Sequence, residues 1–201
     1  GDTSILTQRV NGRTVFTAME DAITWLSTKD TDGNLLPEKK SDSLQDWLDS
    51  IPRGGEVFSN EVLYYKAMRD LVDLAGLMIE PAHAKAFHRQ SLLVRYQLNR
   101  LFWNEDGGYF YERCEGDACI DRLTNESSLA ILYDVVPSQK RKRFFDALKQ
   151  LETDWGVVNA LPPYQGFKLR SYQNVTDWPV LDGMNAGARL KYGNADWEYP
   201  L

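Results

Sequence analysis

The sequence predicts an all-α protein built from helical hairpins stacked side by side, and three observations predict it. Six segments carry apolar residues at helical spacing, thoroughly apolar segments alternate with amphipathic ones, and long loops alternate with short turns between them. No sequence repeat accompanies this alternation, so the repetition is structural only. A chain of 201 residues can bury one proper core, and residues 1–201 read as a single domain. Hydrophobic residues at 43% and charged residues at 26% are ordinary globular values, which sets aside disordered, collagenous and coiled-coil classes.

Residues 13–29 place Val15, Phe16, Met19, Ile23 and Leu26 at helical spacing, and Asp, Gly, Pro and Ser then break the stretch from Thr28 to Gly55 into a long loop. From Glu56, the positions Val62, Leu63, Met68, Leu71, Val72, Leu74, Ala75 and Met78 surround the cylinder, which predicts an inner helix buried on most sides. Pro81 opens an outer helix to about Trp103, with Ala82, Ala86, Leu93, Tyr96, Leu98 and Leu101 inward and His88, Arg89, Arg95 and Arg100 wet. Asn104-Glu-Asp-Gly-Gly108 is turn chemistry, and Tyr109-Phe-Tyr-Glu112 reads as a small β-ribbon running into the cysteine loop. Leu123–Val135 reads as a mostly apolar helix, Ser138–Glu152 as an amphipathic one, and Pro179–Tyr192 as the last.

A net charge of −6 opposes nucleic-acid binding, and the basic run Lys140–Arg143 is the solvated first turn of an amphipathic helix. No apolar run reaches the roughly 20 residues that cross a bilayer, so no membrane partner is expected, and Gly1 in place of Met reads as a processed end. Cys114 and Cys119 can close a small disulfide loop. A zinc site is disfavoured because the two histidines, His83 and His88, sit on a separate helix. Two sequons, Asn125-Glu-Ser127 and Asn174-Val-Thr176, lean with the candidate disulfide toward a secreted protein over a cytoplasmic one.

Chemistry concentrates in the loop before the most buried helix, Ser41 to Asn60. Sugar recognition needs aromatic faces for the apolar side of a pyranose and planar carboxylate, amide and guanidinium groups for its hydroxyls. Trp47, Asp46, Asp49, Arg53 and Asn60 supply both. The bland alternative is that Asp46 and Asp49 pair with Arg53 and cap the next helix. Asp121 and Asn125 precede a buried helix and serve equally as turn and cap residues; Trp178 before Pro179 either lines a pocket or packs beneath it. Trp25, Trp103 and Trp155 read as core or hairpin-closing aromatics.

The run Asp46-Trp-Leu-Asp49, then Pro52-Arg53-Gly54, Val57, Asn60 and Tyr64-Tyr65, resembles the motif order of six-hairpin glycosidases, most closely the amylo-alpha-1,6-glucosidase part of glycogen debranching enzymes and the trehalase-type glucosidases. Leu101-Phe-Trp-Asn-Glu-Asp-Gly-Gly-Tyr109 and Asp177-Trp-Pro179 are similar to further motifs of that group, and together the matches cover most of residues 30–193. The resemblance implies an (α/α)6 toroid of which about half is present, its loops forming the active-site pocket, and an inverting hydrolysis of an α-linked glucoside or related α-glycoside. It makes Asp49 the general acid, with Asp46, Trp47, Arg53, Asn60, Tyr64, Asp121, Asn125 and Trp178 binding substrate. An acid in that role must keep its proton, so burial against Trp47 or the like charge of Asp46 is expected to raise its pKa. The base lies beyond the matched segment; Glu198 is a formal candidate. Phe58 departs from the pattern, standing where many debranching-type relatives have a carboxylate.

The expected partners are an oligosaccharide or glycoside substrate and the rest of the chain's own toroid or a partner chain. No cofactor and no metal are expected. The rival readings are a non-catalytic helical-hairpin domain binding carbohydrate or protein, and a lyase or epimerase of the same architecture, disfavoured by the scarcity of histidine.

Overall fold

The computed structural model describes residues 2–40, 46–166 and 173–192. Among these residues six α-helices occur: α1 Val15–Ser27, α2 Phe58–Leu77, α3 Pro81–Leu101, α4 Leu129–Leu132, α5 Ser138–Leu148 and α6 Pro179–Lys191. Local chemistry starts several of them. The Thr14 hydroxyl accepts from the Thr17 amide at 3.0 Å and caps α1, while Pro81 and Pro179 occupy the first turns of α3 and α6, where an amide would have no partner. Arg189 and Lys191 close the last turn of α6, complementing the negative end of the helix dipole. No described helix is long and apolar enough to cross a membrane.

Helix α2 is the axis of the packing, touching α1, α3 and α4, while α6 packs against α4 and the 3-10 turn Asn125–Ser128 before it. Phe58, Val62, Tyr65, Met68, Leu71 and Ala75 are buried along α2, each apolar side chain contributing about 1.5–3 kcal/mol on leaving water, alanine less. Phe58 stacks on Phe110 at 4.4 Å between ring centroids, and Phe110 meets Phe144 edge-on at 5.3 Å. The residue that departs from the debranching pattern is therefore the aromatic centre of this core.

The structure corrects several expectations. On α2 Leu63, expected inside, is exposed, as is Leu77, although the first half of the helix is buried on most sides. On α3 Leu93 and Tyr96 face solvent, and the inward stripe is Ala84, Phe87, Ser91, Val94, Leu98 and Leu101, rotated from the expected face. Residues 123–135 are not one helix. They form a strand at Leu123–Thr124, a 3-10 turn and the single α-helical turn α4: in the turn Asn125 and Glu126 are buried and bond groups distant in sequence, and the Ser127 hydroxyl donates to the Thr124 carbonyl. Trp25 and Trp155 are exposed rather than core.

The expected ribbon is present as Tyr109–Phe110 paired antiparallel with Trp103–Asn104, and after it the cysteine loop joins a three-stranded sheet: β1 Glu56–Val57, β2 Arg113–Glu115 and β3 Ala118–Ile120, in the order β1-β2-β3. Cys114 and Cys119 are directly opposed across β2 and β3 and are joined by a disulfide. Gly55, at φ +73°, brings the loop against this sheet; a Cβ there would stand 2.3 Å from the Cys114 carbonyl oxygen. The sheet thus fixes the end of the loop that holds Asp46, Trp47 and Arg53.

Candidate active site

Arg53 is 1% exposed and sits among three buried carboxylates. Its guanidinium lies 3.2 Å from Asp46, 3.5 Å from Glu112 and in a close ion pair with Glu126. Lys39 pairs with Asp46 at 2.7 Å, Arg122 pairs with Glu112, and the Tyr164 hydroxyl donates to Glu112 at 2.6 Å. Each buried carboxylate in the cluster therefore has a cationic partner, the condition under which burying such groups is tolerable. For Asp46 the bland alternative holds in part: it pairs with Arg53, and it also accepts from the Leu48 amide at 2.8 Å, shaping the loop.

This charged knot positions the aromatic residues. The Trp47 indole N–H donates to Glu126, and its ring meets Trp178 edge-on at 6.0 Å between centroids. Gln173 fastens the two segments: its Oε1 accepts from the Ser50 amide at 2.9 Å and the Ser50 hydroxyl at 2.7 Å, and its Nε2 donates to the Trp47 carbonyl. Leu48 and Ile51 pack beneath with Ala160 and Tyr164. Both tryptophans remain partly accessible, offering ring area of the kind that stacks on a sugar. Asp49 follows on a turn and is exposed, with the Asp46 carboxylate directed away toward Lys39 and Arg53. Neither the expected burial of Asp49 nor a like charge beside it is present among the described residues.

Asp46, Trp47, Asp49, Arg53 and Trp178 thus converge, and four other candidates do not join them. Asn60 is half-buried on the first turn of α2. Tyr64 is buried farther along α2, where its hydroxyl accepts from Gln90 at 3.4 Å and burial, with the charges of Glu61 and Asp30, pushes its pKa up to about 12. Asp121 accepts from Asn104 at 3.0 Å and from the Tyr109 hydroxyl at 2.5 Å, a loop-organising role. Asn125 has no exposure at all and bonds Asp182 and Asn185 at 3.2 and 3.0 Å. Its sequon is structural for the same reason. So is the second one, because Asn174 is equally buried and bonds the Tyr164 backbone at 2.8 and 3.1 Å. Glu198 lies outside the described residues.

Sequence reasoning missed Glu112, Glu126 and Gln173. The signal for Glu126 was the polar run Asn125–Ser128 inside an apolar segment; Gln173 left none. It also missed the pairing of Asp177 with Asp182 beside Trp178. Burial, then the hydrogen bond and charge of Asp182, push the Asp177 carboxyl up to about 6.

The stacked hairpins, with this loop system at their ends, define the class: an α/α-toroid protein of the six-hairpin glycosidase group. The chain belongs to the family described as the bacterial alpha-L-rhamnosidase 6 hairpin glycosidase domain, which it matches over residues 1–157. It is similar in fold to a sialidase (TM-score 0.71, 13% identity, 93% of this chain and 18% of that one). It is also similar to a rhamnosidase from Klebsiella oxytoca with rhamnose bound (0.64, 16%, 90% and 30%) and to neutral trehalase from Saccharomyces cerevisiae (0.60, 14%, 69% and 28%). The chain spans less than a third of the length of each of these structures. No curated protein matches its sequence significantly.

Proposed function

We propose that this chain supplies part of the substrate pocket of an inverting glycoside hydrolase acting on an α-glycoside, with an α-L-rhamnoside as the first substrate to test. The carrying observation is the Trp47–Trp178 pair, held by Gln173 and Glu126 at the loop end of the hairpins. The family's description and the rhamnose-bound neighbour favour a rhamnoside over the α-glucoside that the motifs suggest. In this reading Trp47 and Trp178 stack on the sugar, while Arg53 and Asp46 hold the loop rather than touch substrate.

Asp49 serves as the general acid, its burial supplied by substrate and by the remaining hairpins, with the base about 6.5–9.5 Å away on the opposite face of the sugar. One observation favours a second assignment. Asp177 already holds a proton up to about pH 6 and adjoins Trp178, so it meets the protonation requirement for the acid without further burial. Activity of the intact protein on aryl α-L-rhamnosides and aryl α-D-glucosides, with Asp49→Asn and Asp177→Asn, separates these readings. A loss on the order of 100-fold or more marks the acid. Full activity in both variants removes both assignments, and an intact protein inactive on every aryl α-glycoside favours the non-catalytic binding module. Proton NMR of the first-formed anomer tests inversion.

A further inference from the structure

A second acidic corner lies in the long loop between α1 and α2, apart from the Arg53 knot. Asp32, Glu38 and Glu56 each present a carboxylate oxygen within 4.8 Å of the others. That is the greatest separation allowed to ligands on a sphere of about 2.4 Å radius, a usual calcium–oxygen distance. Asp30 shapes the turn beneath them, accepting from the amides of Gly33, Asn34 and Leu35 at 2.8, 3.1 and 2.9 Å. Among the described residues no lysine or arginine forms an ion pair with Asp30, Asp32, Glu38 or Glu56. Of the two lysines adjacent in sequence, Lys39 is committed to Asp46 and the Lys29 ammonium lies over the Trp25 ring.

An independent observation comes from α2. Glu61 is 2% exposed, and its Oε2 has no hydrogen-bond partner. Beyond its burial, the charges that act on it are those of Glu56 and Asp30, so this carboxylate lies within electrostatic reach of the same corner. A buried acceptor without a donor costs about 1–3 kcal/mol, more if charged, and persists only when something compensates for it. Asp32, Glu38 and Glu56 accept hydrogen bonds from Asn34 and Thr31, but these neutral donors leave the charge of the cluster, and of Glu61 beside it, without an ion-pair partner among the described residues. The ligands are all hard oxygens on a loop able to adjust, which suits calcium better than zinc, or than magnesium with its strict octahedron.

We propose that Asp32, Glu38 and Glu56, backed by the buried carboxylate of Glu61, bind a calcium-type divalent cation that fastens the loop to the start of α2. The same loop continues through Lys39, which bonds the Gly55 backbone at 2.9 and 2.8 Å, so the ion would brace the segment leading to Trp47 and Arg53 without touching substrate.

The test is titration of chelator-treated protein with calcium chloride at constant ionic strength, followed by calorimetry and by thermal unfolding, with magnesium chloride in parallel. One calcium per chain is expected, with a Tm rise of about 5 °C or more once calcium is ~100-fold above its Kd, and a much smaller response to magnesium. Asp32→Asn, at an exposed position that folds normally, and Glu56→Gln should each abolish or greatly weaken the calcium response while leaving a cooperative transition. No calcium response in the unsubstituted protein overturns the proposal, as does an equal response to magnesium. So does a calcium response retained in both variants.

Discussion

Replacing Arg53 with methionine tests the central electrostatic claim. The side chain is 1% exposed, and methionine fills much of its volume without its charge. Lys39 still serves Asp46, and Arg122 and Tyr164 still serve Glu112, but Glu126 keeps only the Trp47 indole N–H. Removing one partner of a buried pair costs about 3–5 kcal/mol, because the other charge stays buried. For a domain of this size that corresponds to a Tm lower by roughly 6–20 °C. The assay is urea unfolding followed by tryptophan fluorescence at about pH 7 and about pH 4.5. Protonating an unpaired buried carboxylate relieves its desolvation, so the deficit should shrink at the lower pH. Adding Glu126→Gln to Arg53→Met should lose less than the sum of the two single changes, since both act on one interaction. A deficit below about 1 kcal/mol at neutral pH, or one independent of pH, would refute the reasoning.

Gly55→Ala should destabilise by about 2 kcal/mol or more, since it meets the Cys114 carbonyl and carries φ +73°; unchanged unfolding by urea would show that the loop does not rest on the sheet as described. Because Asp177 is raised to about 6 in the folded state, above its unfolded value, its contribution to stability is present at low pH and lost as pH rises through about 6. Asp177→Asn should remove that part of the pH dependence, and identical pH–stability curves for the two proteins would contradict it. Trp47→Ala should raise KM for the accepted glycoside about tenfold or more, with Trp47→Phe intermediate, and steady-state kinetics showing no change in KM would exclude stacking on this ring.

The positions of the long helices were legible from sequence, because a helix repeats every 3.6 residues and a buried stripe imposes that period locally. Val94 and Leu98 on α3 show the limit. Its arginines and scattered leucines allow two stripes, and only contact with α2 selects the one through Ala84, Ser91 and Val94. The segment 123–135 misled for a related reason: its apolar flanks look helical, while Asn125 and Glu126 within it are satisfied by partners distant in sequence.

By itself the sequence determined the hairpin class, the loop where Asp46, Trp47, Asp49 and Arg53 lie, and the possibility of the Cys114–Cys119 bridge, all consequences of periodicity or short spacing. Tertiary structure decided which of these groups meet and which are sealed away. Trp47 finds Glu126 across 79 residues and Gln173 across 126, while Asn125 and Tyr64 are buried elsewhere. The physical reason is that such long-range contacts are selected by the packing of the whole core, to which each residue contributes a small share and no local pattern points.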